Sequence, residues 1–215
     1  MDLTDNNASV CHHSQHRIAH SRDHFIQLDT PDPHKQRRQE MLRKYPEIKH
    51  LMGHETKTKY IVLLCVCMQL ILAYYTKNLS LFSWWMCAYF LGATISHILF
   101  TAIHEVIHNL AFKSKLASRC FAILINLPLG IPAAIGFEKY HLAHHRFMGD
   151  RIKDVDIPLM AEVVFFNSRI KKCVWLLIQP LTYTLRPMIK WPQKIVAWEW
   201  FNILTQILFN ITVYT

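Results

Sequence analysis

Glycine is scarce in this sequence, with five residues in 215, whereas tryptophan occurs six times and 52% of the residues are hydrophobic. This composition suits a membrane-embedded helical protein better than a water-soluble sheet protein. An apolar stretch that would serve as a cleaved signal peptide is also lacking, because residues 1–58 are polar. The six cysteines form no C-x-x-C pair and no regular ladder of spacings, so they are expected to be reduced thiols rather than a disulfide framework.

Positive charge is in excess, with 24 lysines and arginines against 15 acidic residues and a net charge of +9. Such an excess is found in proteins that bind nucleic acid. Here, however, the basic residues flank apolar runs instead of lining one helix face. The sequence therefore predicts anionic lipid headgroups on the cytoplasmic side as the partner, and no nucleic acid.

Two apolar runs, residues 60–75 and 79–103, predict a transmembrane helical hairpin. The first run would reach only about 24 Å as a helix, so its tyrosine and lysine flanks are expected at the membrane interfaces. The loop between the runs holds a single basic residue, Lys77, whereas the outer flanks hold several. By the positive-inside rule, the N-terminus and the end of the second run lie on the cytoplasmic side.

Two histidine motifs follow, of the forms HxxxH and HxxHH. The candidate metal ligands in them are His104, His108, His141, His144 and His145. Residues three or four apart share a helix face, so each motif places its imidazoles together. Neutral imidazole is the commonest side-chain metal ligand, and imidazoles gathered at the edge of an apolar region would otherwise lose their solvation. His97, seven residues before His104, is either a further ligand or a partner of one.

Residues 120–136 lie between the motifs and are apolar, but Pro128 and Pro132 break their helix. A full crossing would put the two motifs on opposite sides of the membrane. We therefore expect a re-entrant or interfacial segment that returns to the cytoplasmic side. Further on, residues 174–185 are predicted to lie at the interface, and residues 195–214 are predicted to form a third span.

Two other polar patterns have open interpretations. Asp154 and Asp156 follow the second motif, where they either orient imidazoles through hydrogen bonds or cap and terminate the segment. His16 and His20 form another HxxxH pattern with no second cluster near it, and a solvated tail is the better interpretation. Residues 35–52 resemble a basic, partly amphipathic helix interrupted at Pro46.

Five imidazoles exceed the three protein ligands that a catalytic zinc ion usually takes. They are too few for a pair of iron ions, so a further cluster downstream is expected to complete such a pair. Histidine-bound iron in a membrane implies O₂ activation and attack on an unactivated C–H bond, which zinc cannot perform because it has no redox chemistry.

The two histidine motifs and the run Asp154-Val-Asp156-Ile-Pro158 resemble the membrane fatty-acid desaturase and hydroxylase superfamily, most closely its sphingolipid Δ4-desaturases. Two other passages are similar to the same subfamily. They are the N-terminal stretch from Asp32-Pro-His34 to Lys44-Tyr45-Pro46-Glu47-Ile48-Lys49, and Asn126-Leu-Pro128-Leu-Gly130-Ile-Pro132.

The resemblance implies an all-α integral membrane protein of the endoplasmic reticulum, multi-pass, with its N-terminus and histidine motifs in the cytosol. It implies two non-haem iron ions held by His104, His108, His141, His144 and His145. It also implies electrons from NADH through cytochrome b5 and its reductase, and O₂ as co-substrate. The reaction would convert dihydroceramide to ceramide, although some members hydroxylate at C4 instead. The expected division is a cytosolic region, 1–58, and a membrane desaturase domain, 59–215.

A departure from the family pattern leaves other functions open. The third histidine motif of the family, another HxxHH, does not occur in this sequence. We therefore expect an incomplete domain, truncated at its C-terminus, in which catalysis is uncertain; an inactive isoform acting only as a membrane partner is one alternative. A second alternative is an intramembrane zinc protease, because His104-Glu105-Val-Ile-His108 also fits the HExxH pattern with Glu105 as general base.

Overall fold

The computed structural model describes residues 33–214, which are helical and contain no strand. Its α-helices are α1 (Pro33–Lys44), α2 (Thr58–Thr76), α3 (Leu81–Cys87), α4 (Ala93–Ile107), α5 (Lys115–Asn126), α6 (Ala134–Arg146), α7 (Met160–Phe165), α8 (Arg169–Lys190) and α9 (Ala197–Tyr214). The predicted all-α class is confirmed, and so is the interruption at Pro46, where α1 gives way to a 3-10 helix. His16 and His20 lie outside the described residues.

The predicted membrane hairpin is present. Within residues 33–214, two helices are long and apolar enough to cross a membrane, Thr58–Thr76 and Leu81–Ile107. The second consists of α3 and α4 joined by a π-helical turn, and Ser80 caps its start by accepting a hydrogen bond from the Ser83 amide. Only 17% of the residues in either apolar window are buried by the rest of the chain. The remaining apolar surface of the hairpin is therefore available to lipid.

Helix α4 lies at the centre of the hydrophobic core. Its residues Leu99, Ile103 and Val106 are fully buried. They pack in one cluster with apolar side chains of α2, including Val66, and of α5, including Ala122. This packing fixes the end of α4, where His104 and His108 lie, relative to the segments that follow.

The segment before α2 contacts the segment after α4. His54 Nδ1 lies 2.8 Å from the carbonyl oxygen of Asn109, and the Glu55 amide donates to the carbonyl of Leu110 at 2.9 Å. Asn109 ends α4 in a left-handed conformation, with φ at 59°, which asparagine tolerates better than most residues. The N-terminal region and the first histidine motif therefore lie at the same end of the hairpin.

Helices α5 and α6 form the segment predicted to turn back. Lys115–Leu129 and Ala134–Arg146 meet at 118°, so the segment is sharply bent. Pro128 lies in a short 3-10 turn, and Gly130 follows it at φ 81°, a conformation that suits glycine because it has no Cβ. The bend agrees with the predicted re-entrant or interfacial segment and brings α6 back to the end of α4.

Asn126, which is fully buried, closes this bend. Its Oδ1 accepts hydrogen bonds from the amides of Ala133 and Ala134, both at 3.0 Å, and its Nδ2 donates to the Ile131 carbonyl and to Gln206 Oε1. The side chain thus holds together both ends of the turn between α5 and α6, which we name the proline turn. It also links this turn to α9.

Replacing Asn126 with leucine is expected to destabilise the protein by at least about 2 kcal/mol, because it leaves the buried Ala134 amide and the buried side-chain oxygen of Gln206 without partners. Thermal unfolding of the purified protein in detergent measures the effect. Asn167→Leu, at an exposed position, is the matched control and should unfold close to the unaltered protein. Equal stability of both variants would contradict the assigned role of Asn126.

Residues 195–214 are predicted to form a third membrane span. The segment does form α9, but α9 is not among the helices of the described chain that are apolar enough to cross a membrane. Asn202, Gln206 and Asn210 recur at intervals of four residues along it. Asn202 Oδ1 accepts from the Ile135 amide of α6, whereas Gln206 Nε2 donates to the Leu127 carbonyl and Asn210 Nδ2 donates to the Gly130 carbonyl.

Helix α8 extends further than the predicted segment 174–185 and includes Pro180 and Pro187. Ser168 caps it by accepting a hydrogen bond from the Lys171 amide. Most of its large apolar side chains are exposed, and Arg186 is its one buried residue. Its placement at a membrane interface stays a prediction.

Candidate metal centre

The first histidine motif is at the C-terminal end of α4. His104 lies in the last turn of α4 and His108 caps the helix, with their ring centroids 5.1 Å apart. Val106 and Ile107 between them are buried in the core. The core packing of one side of the helix therefore turns both imidazoles toward the returning helix α6.

The second motif is on α6, which an ion pair fixes to α5. Glu138 is buried, and Arg119 Nε donates to both of its carboxylate oxygens, at 2.9 and 3.2 Å. One turn later His141 is also buried, with its ring stacked on Phe137 at a centroid separation of 4.9 Å. His145 follows one further turn along the same face.

The two motifs meet. His108, His104, His141 and His145 each place a ring nitrogen within 4.8 Å of those of the others. His141 Nε2 lies 3.1 Å from His108 Nε2 and 3.0 Å from His145 Nε2. Two of these residues come from α4 and two from α6, so the shared position of the motifs depends on the bend between α5 and α6. We name these four residues the imidazole cluster.

The imidazole cluster fits a metal ion. A ring nitrogen carries either one proton or one lone pair, so His141 Nε2 cannot make good hydrogen bonds to two other Nε2 atoms at once. Imidazole nitrogens lie about 2.1 Å from a metal such as zinc, and two such ligands at a right angle are about 3.0 Å apart. The observed separations match nitrogen ligands around one cation, which would accept a lone pair from each ring.

The electrostatics of His108 favour the ligand form. Burial, and then the nearby imidazoles of His145 and His104, hold the pKa of His108 below its ordinary value. The ring is therefore neutral at physiological pH and keeps a lone pair for a metal. The cluster contains neither a thiolate nor a carboxylate. A set of ligands made only of imidazoles suits iron, zinc or copper.

His144 is separate from the imidazole cluster. Its Nδ1 lies 2.7 Å from Asp154 Oδ1 and 3.5 Å from Asp156 Oδ2, and these three residues form a second group with metal-binding potential. A carboxylate only accepts hydrogen bonds, so Nδ1 carries a proton and Nε2 is the nitrogen that can face a metal. The His144 ring centroid is 5.4 Å from that of His145.

Both interpretations of the aspartates hold for Asp154. One of its oxygens contacts His144, and the other accepts from the Gly149 amide at 2.8 Å. Asp154 thus orients an imidazole and also shapes the turn after α6.

His97 is predicted to be a ligand or a partner of one, but it is exposed and does not belong to either group. Glu105, the general base of the zinc-protease alternative, is likewise exposed.

Sequence reasoning did not single out the residues of α8 that hold the aspartates. Tyr183 Oη donates to Asp156 Oδ1 at 3.0 Å, and the buried Arg186 forms an ion pair with Glu162 at 3.0 Å. Burial raises the pKa of Glu162, but hydrogen bonds from Arg186 and Trp175 outweigh it, and the net shift is downward. The available signal was a tyrosine and an arginine three residues apart, following the mainly apolar run that begins at Val174.

A cavity of about 270 Å³ lies beside His141. Its walls are mainly apolar, including Phe100, Phe137 and Met188, and Tyr183 and Asp156 supply polar groups. Apolar walls with a few polar groups are typical of sites for small molecules and lipid chains.

Comparison with known proteins identifies two family models in the chain. The model described as "Fatty acid desaturase" matches residues 80–214, and the model described as "Sphingolipid Delta4-desaturase (DES)" matches residues 21–57. The first match includes both histidine motifs and the aspartates that follow them. No solved structure matches the chain.

Several curated proteins are similar to the chain. The sphingolipid delta(4)-desaturase DES1 of Xenopus tropicalis is 42% identical over 197 residues, which cover 90% of this chain and 61% of the relative. The sphingolipid delta(4)-desaturase/C4-monooxygenase DES2 of Rattus norvegicus is 42% identical over 199 residues, with the same coverage. The sphingolipid delta(4)-desaturase of Candida albicans is 39% identical, and 52% of its length is covered. The chain thus spans between half and two thirds of the length of these relatives.

Proposed function

The chain belongs to the fatty acid desaturase family, and on that premise we propose that it carries the iron-binding region of a sphingolipid Δ4-desaturase. The observation that carries the proposal is the imidazole cluster, in which histidines from two helices converge beside a membrane hairpin. The relatives' names supply the substrate class, sphingolipids that are desaturated at the Δ4 position. The proposed substrate is a dihydroceramide-type lipid, and the proposed product is ceramide.

The ligands that this chain is proposed to contribute to a pair of non-haem iron ions are His104, His108, His141, His144 and His145. Iron, when bound, would supply the redox chemistry with O₂ that breaks an unactivated C–H bond. The chain's own residues hold and orient the ligands. Asp154 keeps the proton of His144 on Nδ1, and Phe137 fixes the plane of His141.

The reaction balances with an external reductant. Two C–H bonds of the lipid break and one carbon–carbon double bond forms, which releases two electrons and two protons. Two more electrons come from NADH through cytochrome b5 and its reductase, and two more protons come from water. Together they reduce one O₂ to two water molecules. The apolar cavity beside His141 is the proposed position of the lipid carbons that react.

The placement of the chain follows from the same proposal. We propose a cytosolic region, 1–58, and a membrane desaturase domain, 59–215, and the family matches to residues 21–57 and 80–214 are the support for this division. We propose the endoplasmic reticulum as the membrane, with the N-terminus and the imidazole cluster on the cytosolic side. The basic residues at the open end of the hairpin support this orientation.

The direct test is conversion of dihydroceramide by microsomes that contain the chain, supplied with NADH and O₂. Iron in the purified protein and appearance of ceramide are the expected results. Iron without ceramide would favour the alternative of a non-catalytic membrane partner, and absence of both would contradict the proposal.

Replacing iron with zinc is expected to abolish conversion while the protein remains folded, because zinc occupies imidazole sites but has no redox chemistry. The measurement compares ceramide formation by the iron-loaded and the zinc-loaded protein, with metal content determined for both. Equal ceramide formation by the zinc-loaded protein would contradict an oxidative mechanism that depends on iron at these histidines.

A second activity, C4 hydroxylation, is favoured by the similarity to the rat protein, whose name includes C4-monooxygenase. Mass analysis of the product separates the two outcomes. Desaturation removes two hydrogens from the lipid, whereas hydroxylation adds one oxygen.

A further inference from the structure

Arg186 occupies an unusual position for a charged residue. It is 1% exposed, and it is the one buried residue of α8. Its Nε and Nη2 donate to the two carboxylate oxygens of Glu162, at 3.1 and 3.0 Å. Burying an ion pair gains little stability over an apolar pair of similar volume, because both charges lose their hydration. Stability alone is therefore a weak reason for this pair.

The third nitrogen of Arg186 indicates another role. Nη1 donates to the main-chain carbonyls of Asp156, at 3.1 Å, and Val155, at 3.4 Å. One turn later on α8, Lys190 Nζ donates to the carbonyls of Asp154 and Ile157. Two cations of one helix face thus fix the main chain of the segment 154–157, while Glu162 fixes the guanidinium.

The segment 154–157 in turn holds His144. Asp154 is 2% exposed, and its Oδ1 lies 2.7 Å from His144 Nδ1. A carboxylate that orients an imidazole acts only within a narrow range of positions, so the main chain that carries Asp154 must be fixed. Residues on α8 supply that constraint from outside the helices that carry the histidines.

We propose that Arg186 is a positioning residue for the metal centre, which it serves through the segment 154–157 and the Asp154–His144 contact. Lys190 acts with it. The inference rests on the proposed function in that it takes His144 as a metal ligand. It assigns to α8 the task of holding that ligand, in addition to any contact the helix makes with the membrane.

The test is a double-mutant cycle on metal affinity, with Co(II) as the probe and its visible absorption as the readout in the purified full chain. Arg186→Met and Lys190→Met should each weaken Co(II) binding about 10-fold or more, as loss of residues that orient ligands usually does. In a His144→Ala background, the same substitutions should change the affinity by no more than about 2-fold. Arg169→Met, at an exposed position of the same helix, is the control and should bind Co(II) normally.

Stability is separated from positioning by the double variant Glu162→Leu/Arg186→Met. Removal of both charges should restore thermal stability lost in Arg186→Met, because no buried charge remains unpaired. Co(II) affinity should stay low, because the carbonyls of Val155 and Asp156 remain without their contact to Arg186. Recovery of affinity together with stability, or additive effects in the cycle, would overturn the inference alone. Failure of the unaltered chain to bind Co(II) would overturn the proposed function as well.

Discussion

His141→Ala is expected to lower the iron affinity of the chain by about 100-fold or more and to abolish formation of ceramide. His141 is buried and its Nε2 contacts the Nε2 atoms of both His108 and His145. Its removal therefore takes away the ring at the centre of the imidazole cluster. Equilibrium titration with Fe(II) under anaerobic conditions measures the affinity, and the microsomal assay measures conversion.

His97→Ala is the matched control for this variant. His97 also lies on α4, but it is exposed and outside the imidazole cluster. It should bind iron as the unaltered chain does. Undiminished iron binding by His141→Ala, or equal losses in both variants, would contradict the assignment of the cluster.

Glu162→Leu is expected to destabilise the protein by about 3–5 kcal/mol, the usual result when one partner of a buried ion pair is removed. The guanidinium of Arg186 would remain buried, and two of its hydrogen bonds would have no acceptor. The indole of Trp175, which donates to Glu162 Oε2 at 2.9 Å, would also lose its partner. Thermal unfolding in detergent is the measurement.

The control for this prediction is Glu47→Leu, at an exposed position of the N-terminal 3-10 helix. It should change the unfolding temperature little, because an exposed charge loses no buried partner. Equal unfolding temperatures for Glu162→Leu and the unaltered protein would show that Arg186 finds other acceptors. In that case α8 would not depend on this ion pair.

Much of the fold could be predicted from local patterns. The hairpin follows from two uncharged apolar runs, and the turn between α5 and α6 follows from Pro128 and Pro132. The predicted meeting of the two histidine motifs followed from one physical argument, that a single metal centre cannot collect ligands from both sides of a membrane. Each of these predictions needed only neighbouring residues or one topological constraint.

The parts that were missed depend on contacts between distant residues. The polar contacts of α9 are one example, because Asn202 accepts from the Ile135 amide and Gln206 accepts from Asn126, and the apolar content of residues 195–214 does not indicate either contact. His97 lies about two helical turns before His104. At that separation along the helix axis it cannot join the other imidazoles, although it is on a similar face of the helix. The ion pair between Glu162 and Arg186 joins residues 24 positions apart, and neither residue belongs to a motif.

The central claim is that imidazoles of α4 and α6 bind iron together. X-ray absorption at the iron edge of the iron-loaded chain tests it most directly, because the outer-shell scattering of imidazole rings is distinctive. The account predicts a nitrogen-rich shell with strong imidazole scattering that weakens in both His108→Ala and His141→Ala. A shell of oxygen or sulfur ligands without imidazole scattering, or a signal unchanged in these two variants, would contradict it.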